Sequence, residues 1–338
     1  MLENHFVHLT GIRRRMPIIA VALMAPLVGL GIASQAMAKE PTGDFAVFKQ
    51  CPRFATGVNL CFYSQITGGE MTLGKLTVPI VNPATFQGGL VEEVEPPFAI
   101  TLVAALDGET LSRTPEEVPG GLSSLIDCNE IKGKGFLRRA WRRACKAVFE
   151  NSRVTAVNAT TELARPASEI YINKENEVNA EGIALTMPVR VHLENPLLGR
   201  KCYIGSSADP IMFNFTTGTT SPPPPNKPIS GAFGLFKFED ESQFAEITEH
   251  VQVDNTFSAP EATGCGGPFS FLIDPLINSK IGLPSPAGYN TIIHSGYADE
   301  ATAVGVIGSE KGDEPGGNET KKWGQGTGPT PRWHWNHG

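Results

Sequence analysis

Nowhere in this 338-residue chain do two cysteines stand in a C-x-x-C pair. That argues against zinc-finger-type sites and thioredoxin-like redox chemistry, which use two thiolates at that spacing. A G-x-S-x-G elbow, an H-E-x-x-H helix, a Walker loop and a dinucleotide fingerprint are missing as well. The usual serine-hydrolase, metalloprotease and nucleotide-binding machineries therefore lack their key residues. Basic residues are outnumbered: 28 Lys and Arg face 35 Asp and Glu, for a net charge of −7. A chain of that sign is a poor match for nucleic acid. Nothing calls for a cofactor or a metal.

What is present begins with a leader. Residues 13–15 are three arginines, and 16–33 is an apolar run interrupted by Pro17, Pro26 and small glycines. Ala36 and Ala38 then form an A-x-A arrangement. Basic, apolar and small-residue regions in this order describe a secretory signal peptide over 1–38, cleaved after Ala38. The run is close to the ~18 residues needed to span a membrane, but Pro26 argues against a permanent anchor. Sec and twin-Arg export both remain open. No cysteine follows the cleavage site closely enough for a lipid anchor, and LPSPAG at 283–288 lacks the threonine of a sortase signal. The mature chain, 39–338, is expected to be secreted or wall-associated with no transmembrane span. Loss of three Arg and one Glu takes its net charge to −9.

All six cysteines, Cys51, Cys61, Cys128, Cys145, Cys202 and Cys265, lie in the mature part. An even count in an exported chain points to three disulfides. Of the fifteen possible pairings, nearest-neighbour order favours Cys51–Cys61, Cys128–Cys145 and Cys202–Cys265. Loop entropy would then contribute about 3 kcal/mol for each of the first two and about 4 for the last.

Period-two patterning dominates the mature chain. In LTMPVRVHLE, Leu185, Met187, Val189, Val191 and Leu193 take one face, while Thr186, Pro188, Arg190, His192 and Glu194 take the other. This is the signature of a half-buried antiparallel strand, with Pro188 hinting at an edge or bulge. Further strands are expected over 58–66, 71–80, 98–105, 153–163, 211–217, 232–238, 244–253, 289–297 and 301–307. Gly68-Gly69, Gly74-Lys75 and Asp107-Gly108 read as hairpin connections. The fold class that follows is mainly β, an antiparallel sandwich or jelly-roll-like pair of sheets over 39–308.

Helices are exceptions. DPLINSKIG reads as a short helix with Asp274 as N-cap, Pro275 at its first position and Gly282 as its stop. The other is an amphipathic insertion over 128–150, clipped by Cys128–Cys145. At ~100° per residue, Leu137, Ala140, Trp141, Ala144, Cys145 and Val148 share one arc, and only Phe149 strays. Arg138, Arg139, Arg142, Arg143 and Lys146 fill the opposite arc. Segment 132–146 holds seven Lys or Arg and no acid. The preferred expectation is that the apolar arc packs on the β domain and the cations face water or the protein's own carboxylates. The sharper alternative is a surface-binding helix that docks on cell-wall polymer or another anionic surface.

Thr220–Pro228, TSPPPPNKP, is expected to be a stiff polyproline loop or spacer. Residues 309–338 read as a disordered Gly/Pro-rich tail. His192 and His250 fall on polar strand faces and are expected to be solvated. His294 adjoins Ser295, but neighbouring strand residues point to opposite faces, which is poor geometry for Ser–His catalysis. FEDES, 238–242, reads as an acidic turn.

Three stretches carry a resemblance: CPRFATGVNLCFYSQITGGEMTLGKLTVPI, NPLLGRKCYIGSSADPIMFNFTTGTTSPPPPNKPISG and GLPSPAGYNT. They resemble segments of exported actinobacterial proteins of unknown function, across most of 45–300. That group also carries a cysteine-bounded helical insertion before a VNAT-ELA-like strand, matched here by 128–164. The basic face of Arg138 to Lys146 is not one of its features. The resemblance implies a secreted or wall-associated protein and assigns no catalytic residue. The expectation is therefore a structural, adhesive or binding role at a bacterial surface without identifiable catalysis. The alternative is an extracellular polysaccharide-acting hydrolase using carboxylates among Asp240, Glu241 and Glu246.

Overall fold

The computed structural model describes residues 39–93, 100–131, 133–150, 155–239 and 243–310. The leader over 1–38, the tail from 311 onward, and Asp240 and Glu241 of the acidic turn lie outside the described residues. In chain order the strands are β1 (Leu60–Leu73), β2 (Leu76–Ile80), β3 (Ala84–Glu92), β4 (Ile100–Ala104) and β5 (Pro115–Glu117). Next come β6 (Asn158–Leu163), β7 (Tyr171–Ile172), β8 (Leu185–Glu194), β9 (Tyr203–Ile204) and β10 (Ile211–Phe215). The last are β11 (Leu235–Glu239), β12 (Phe244–Asp254), β13 (Ala262–Thr263) and β14 (Thr291–Thr302). Among the described residues five α-helices interrupt them: α1 (Leu122–Leu125), α2 (Phe136–Cys145), α3 (Lys174–Asn179), α4 (Ser270–Ile281) and α5 (Ala303–Ser309).

These strands make two seven-stranded sheets, antiparallel throughout. The first runs β11-β12-β14-β1-β3-β4, with β2 also on β1. The second runs β13-β9-β8-β6-β5, with β10 and β7 also on β8. One hydrophobic core joins them, with Leu60, Phe62, Met71, Leu73 and Leu90 from the first sheet and Met187, Val189, Val191, Phe213 and Phe215 from the second. The sandwich expected from the alternation is what the chain forms. A smaller core of Phe48, Cys51, Cys61, Ala301 and Val306 covers part of the first sheet's other face. The disulfides join Cys51 to Cys61, Cys128 to Cys145, and Cys202 to Cys265.

Within β8, Leu185, Met187, Val189, Val191 and Leu193 are all buried, as period two requires. Pro188 marks neither an edge nor a bulge, because β8 has neighbours on both sides. Its carbonyl accepts from Ala164, just past the end of β6. The missing N–H therefore falls where that ladder is finishing.

Four other expectations change. Gly68-Gly69 is not a turn but lies inside the fourteen-residue β1, where the pairing with β14 shifts register. At Gly69, φ is 131° and a Cβ would sit 1.9 Å from the carbonyl oxygen of Ile293, so the glycine serves close approach of two backbones. Residues 303–309 are helix α5, not strand, because Thr302 caps Gly305 with its hydroxyl (3.1 Å) and Ala303 and Val306 bury one helical stripe. Ser309 and Glu310 consequently belong to the fold, and Glu310 pairs with Arg53 in a buried ion pair. Helix α4 starts at Ser270, a turn before Asp274, and holds Pro275 in its interior. The Asp274 carboxylate accepts from the N–H groups of Gly264 (3.1 Å) and Cys265 (2.8 Å) instead of capping. Gly282 stops the helix in the left-handed region, as expected.

The proline-rich segment is no free spacer. Thr220 and Ile229 close its base, and Asn226 donates to the carbonyls of Asn255 (3.1 Å) and Asn290 (2.8 Å). Strand β3 is not among the expected strands, and Gly88-Gly89 weakens its β signal because glycine has low strand propensity. Both glycines lie in the sheet, and a Cβ on Gly88 would meet the carbonyl oxygen of Val103 at 2.6 Å.

Gly69→Ala should cost more than about 3 kcal/mol, since the collision is with backbone and cannot be relieved by a rotamer. Gly108→Ala, at φ 79° with open space around it, should cost about 1 kcal/mol for the positive φ alone. Denaturation midpoints of the oxidised proteins measure both. Equal costs would show that the β1–β14 contact is not as tight as described.

Candidate functional site

The basic insertion is held by a covalent anchor. Asp127 caps the short turn Cys128–Glu130 by accepting from Asn129 N–H (2.8 Å), and Cys128 is disulfide-bonded to Cys145 at the end of α2. The helix then widens into a single π-turn, Lys146–Glu150. Cys145 and Phe149 are buried and Trp141 is half-buried against the core. Phe136 and Leu137, by contrast, are 76% and 79% exposed, and Ala140, Ala144 and Ala147 are exposed too.

The expected packing of the whole apolar arc is therefore wrong. The disulfide puts Cys145 at the centre of the buried face and not at its edge, which turns the helix by about 70° from the hydrophobic optimum. Phe149 comes inward, and Leu137, Ala140 and Ala144 go outward. Among the cations, Arg138, Arg139 and Arg143 are exposed, while Arg142 and Lys146 are half-buried. Arg139 donates to the Lys134 carbonyl, and Arg142 donates to the Ile131 carbonyl. Arg138 lies against Gly133.

The histidines are not solvated. His250 is 7% exposed, its Nδ1 is 2.8 Å from the Phe233 carbonyl oxygen, and its Nε2 is 3.3 Å from the Glu177 carboxylate. A register shift between Ile247 and His250 separates Thr248 from His250, while His250 and Gln252 still share a face, which turns inward to Glu177. His192 stacks on Tyr203 at 4.3 Å, with Arg190 over the same ring at 4.4 Å. Its Nδ1 is 3.7 Å from both Glu162 and Glu194.

His294 faces the inter-sheet space, where a cavity of about 80 Å³ is lined by Met71, Val78, Met187, Phe213 and Phe215. Its ring leans on Phe215 at 4.3 Å, and its Nε2 has no hydrogen-bond partner among the described residues. Burial, helped by repulsion from His250, pushes the imidazolium pKa down to about 3.

One network had no signature in the sequence. Asn173 caps α3 by accepting from Asn176 N–H (2.9 Å), which aims Lys174 and Glu177 at the first sheet. Lys174 Nζ is 2.8 Å from Glu92 on β3 and 2.9 Å from Glu300 on β14. The two carboxylates hold its pKa above the usual lysine range against the opposing effect of burial. Glu177 accepts from Gln252 on β12 (2.9 Å). The residues of KENEVN alternate no better than a surface loop, so only the fold reveals that two of them point inward.

Glu246, expected as a possible catalytic carboxylate, pairs across the strands with Asp299 of β14. Burial chiefly, and the nearby charges of Glu246 and Asp44, push the Asp299 pKa up to about 6. Tyr63 on β1 and Tyr297 on β14 lie near one another, with ring centroids 6.4 Å apart. No cluster of His, Cys, Asp or Glu suited to a metal ion occurs among the described residues. No helix among them is long and apolar enough to cross a membrane. The chain matches no family model, no curated protein and no solved structure.

The histidines give a pH dependence of defined sign. The folded pKa of His294, about 3, lies below its unfolded value near 6.5. Its contribution is complete above 6.5 and is lost as pH falls towards 3, at about 1.4 kcal/mol per pH unit. His250 is raised instead, by its bond to Glu177 and that carboxylate's charge acting against burial. Its contribution is present below about 6.5 and is lost as pH rises through its folded value. His294→Leu should flatten the acid side of the stability profile, and His250→Gln should flatten the near-neutral fall. Unfolding at a series of pH values reads both, and an unchanged acid slope in His294→Leu would refute the first assignment.

Proposed function

We propose that this is an exported protein that binds at the outer surface of a bacterial cell without catalysing a reaction, using α2 as its contact with an anionic polymer or surface. One observation carries the reading: a disulfide-anchored helix holds Arg138, Arg139 and Arg143 exposed in a chain whose remaining charge is strongly negative. Exposed cations on a fixed helix attract a polyanion by charges that remain in water, where little desolvation opposes binding. Three closed disulfides suit an oxidising compartment outside the cytosol. The leader-like segment over 1–38 and the resemblance to exported actinobacterial proteins support secretion or wall association.

Replacing Arg138, Arg139 and Arg143 by Gln should change stability by less than about 1 kcal/mol each. Retention on soluble poly(glycerol phosphate) at low salt should fall steeply in the triple variant, and high salt should release the parent. Arg142 is left out of this test because it is half-buried, with its guanidinium on the Ile131 carbonyl. Absence of salt-sensitive, arginine-dependent retention on any anionic probe would overturn the reading.

The hydrolase reading is favoured by a different observation, the pairing of Glu246 with an Asp299 whose pKa is about 6. A carboxyl whose pKa is raised towards neutrality, set across the strands from a second carboxyl, is the kind of pair that glycoside hydrolysis uses. Release of reducing ends from wall polysaccharide, abolished by Asp299→Asn and by Glu246→Gln, would establish it in place of the first.

A further inference from the structure

Resting on the surface-binding reading, we propose that the occupant of α2 is anionic phospholipid, with Phe136 and Leu137 entering the bilayer interface and Arg139 and Arg143 meeting headgroup phosphates. A polyanion in solution would engage only the cations. The exposed face of α2 and its π-turn holds more than cations, because Phe136, Leu137, Ala140, Ala144, Ala147 and Val148 form an apolar stripe along it. At ~100° per residue this stripe spans about a third of the helix circumference, and Arg143 and Arg139 border it on one side. The opposite side is occupied by Cys145, Trp141 and Phe149, which hold the helix on the protein.

An apolar stripe beside a cationic flank, lying parallel to a surface, is the arrangement that binds membrane interfaces. The alanines let the helix axis approach the headgroups closely, and the two bulky residues at its N-terminal end supply the apolar contact. The charge matches as well, with seven Lys or Arg and no acid over 132–146. A stable protein partner would need about 800 Å² of contact on each side, far more than a ten-residue helix with two bulky exposed side chains offers. A lipid surface needs only a few inserted side chains and several phosphates.

The test uses the full oxidised chain in co-sedimentation with vesicles of equal parts phosphatidylglycerol and phosphatidylcholine. Vesicles of phosphatidylcholine alone and soluble poly(glycerol phosphate) serve as comparisons. Binding is expected to the anionic vesicles and not to phosphatidylcholine alone. The double variant Phe136→Ser, Leu137→Ser should bind anionic vesicles at least about tenfold more weakly while holding the polymer within about twofold of the parent. Both side chains are exposed, so its denaturation midpoint should not move. Arg139→Gln and Arg143→Gln should each weaken vesicle binding about fivefold at low salt. If the parent binds the polymer but not anionic vesicles, or the double variant binds vesicles as the parent does, the lipid inference falls and the surface-binding reading stands. If neither probe is bound, both fall.

Discussion

The pairing of β1 with β14 is the constraint on which the rest of the structure depends. β1 is the hub of the first sheet, bonded to β14, β2 and β3, and β14 passes the ladder on to β12. Gly69 makes the contact possible by leaving no side chain where the two backbones meet. Once the register is set, period two assigns faces to every later residue of β14. Ile292, His294 and Glu300 go to the core side, while Ala301 goes to the small second core with Cys61. The aspartate beside Glu246 and the glutamate beneath Lys174 are neighbours in sequence, yet they answer to different environments for this reason.

The inward polar groups do different work from the apolar ones. Apolar burial holds two sheets together without choosing a single alignment between them. Lys174 between Glu92 and Glu300, with Glu177 on Gln252 and His250, adds directional contacts from the segment between β7 and β8 to three strands of the first sheet. Stripping these charges of water costs several kcal/mol per ion, and the paired geometry offsets that cost. Their value lies in alignment: a slip of one residue on either side would leave a charge buried without its counter-ion.

Helix α2 shows a covalent constraint overriding a hydrophobic one. Left to amphipathicity, the helix would have buried the arc centred near Leu137 and Val148. The bridge to Cys128 instead brings Cys145 to the middle of the contact, and Trp141 and Phe149 follow because they lie one turn away on either side. Apolar residues are left facing outward beside arginines. That leftover surface is what gives the protein a candidate binding face, and it exists only because the disulfide sets the rotation.

Much of the scaffold was legible in the residues themselves. Alternation in 185–194 located β8 and its buried face, even cysteine count and order matched the three bridges, and Gly282 marked a helix end. These are local signals, since side-chain period and φ preference act within a few residues. The β3 strand and the true start of α4 were hidden because a glycine and an aspartate each took a role set by partners beyond their own segment, and α5 was hidden because Thr302 could continue a strand or cap a helix. The same holds for the site. Sequence determined that a basic amphipathic helix would exist between Cys128 and Lys146, because helical periodicity is local. Which of its faces meets water, and which charged residues of 174–177 turn inward, was decided only by tertiary structure, because burial depends on the backbones, rings and disulfide that the fold brings alongside.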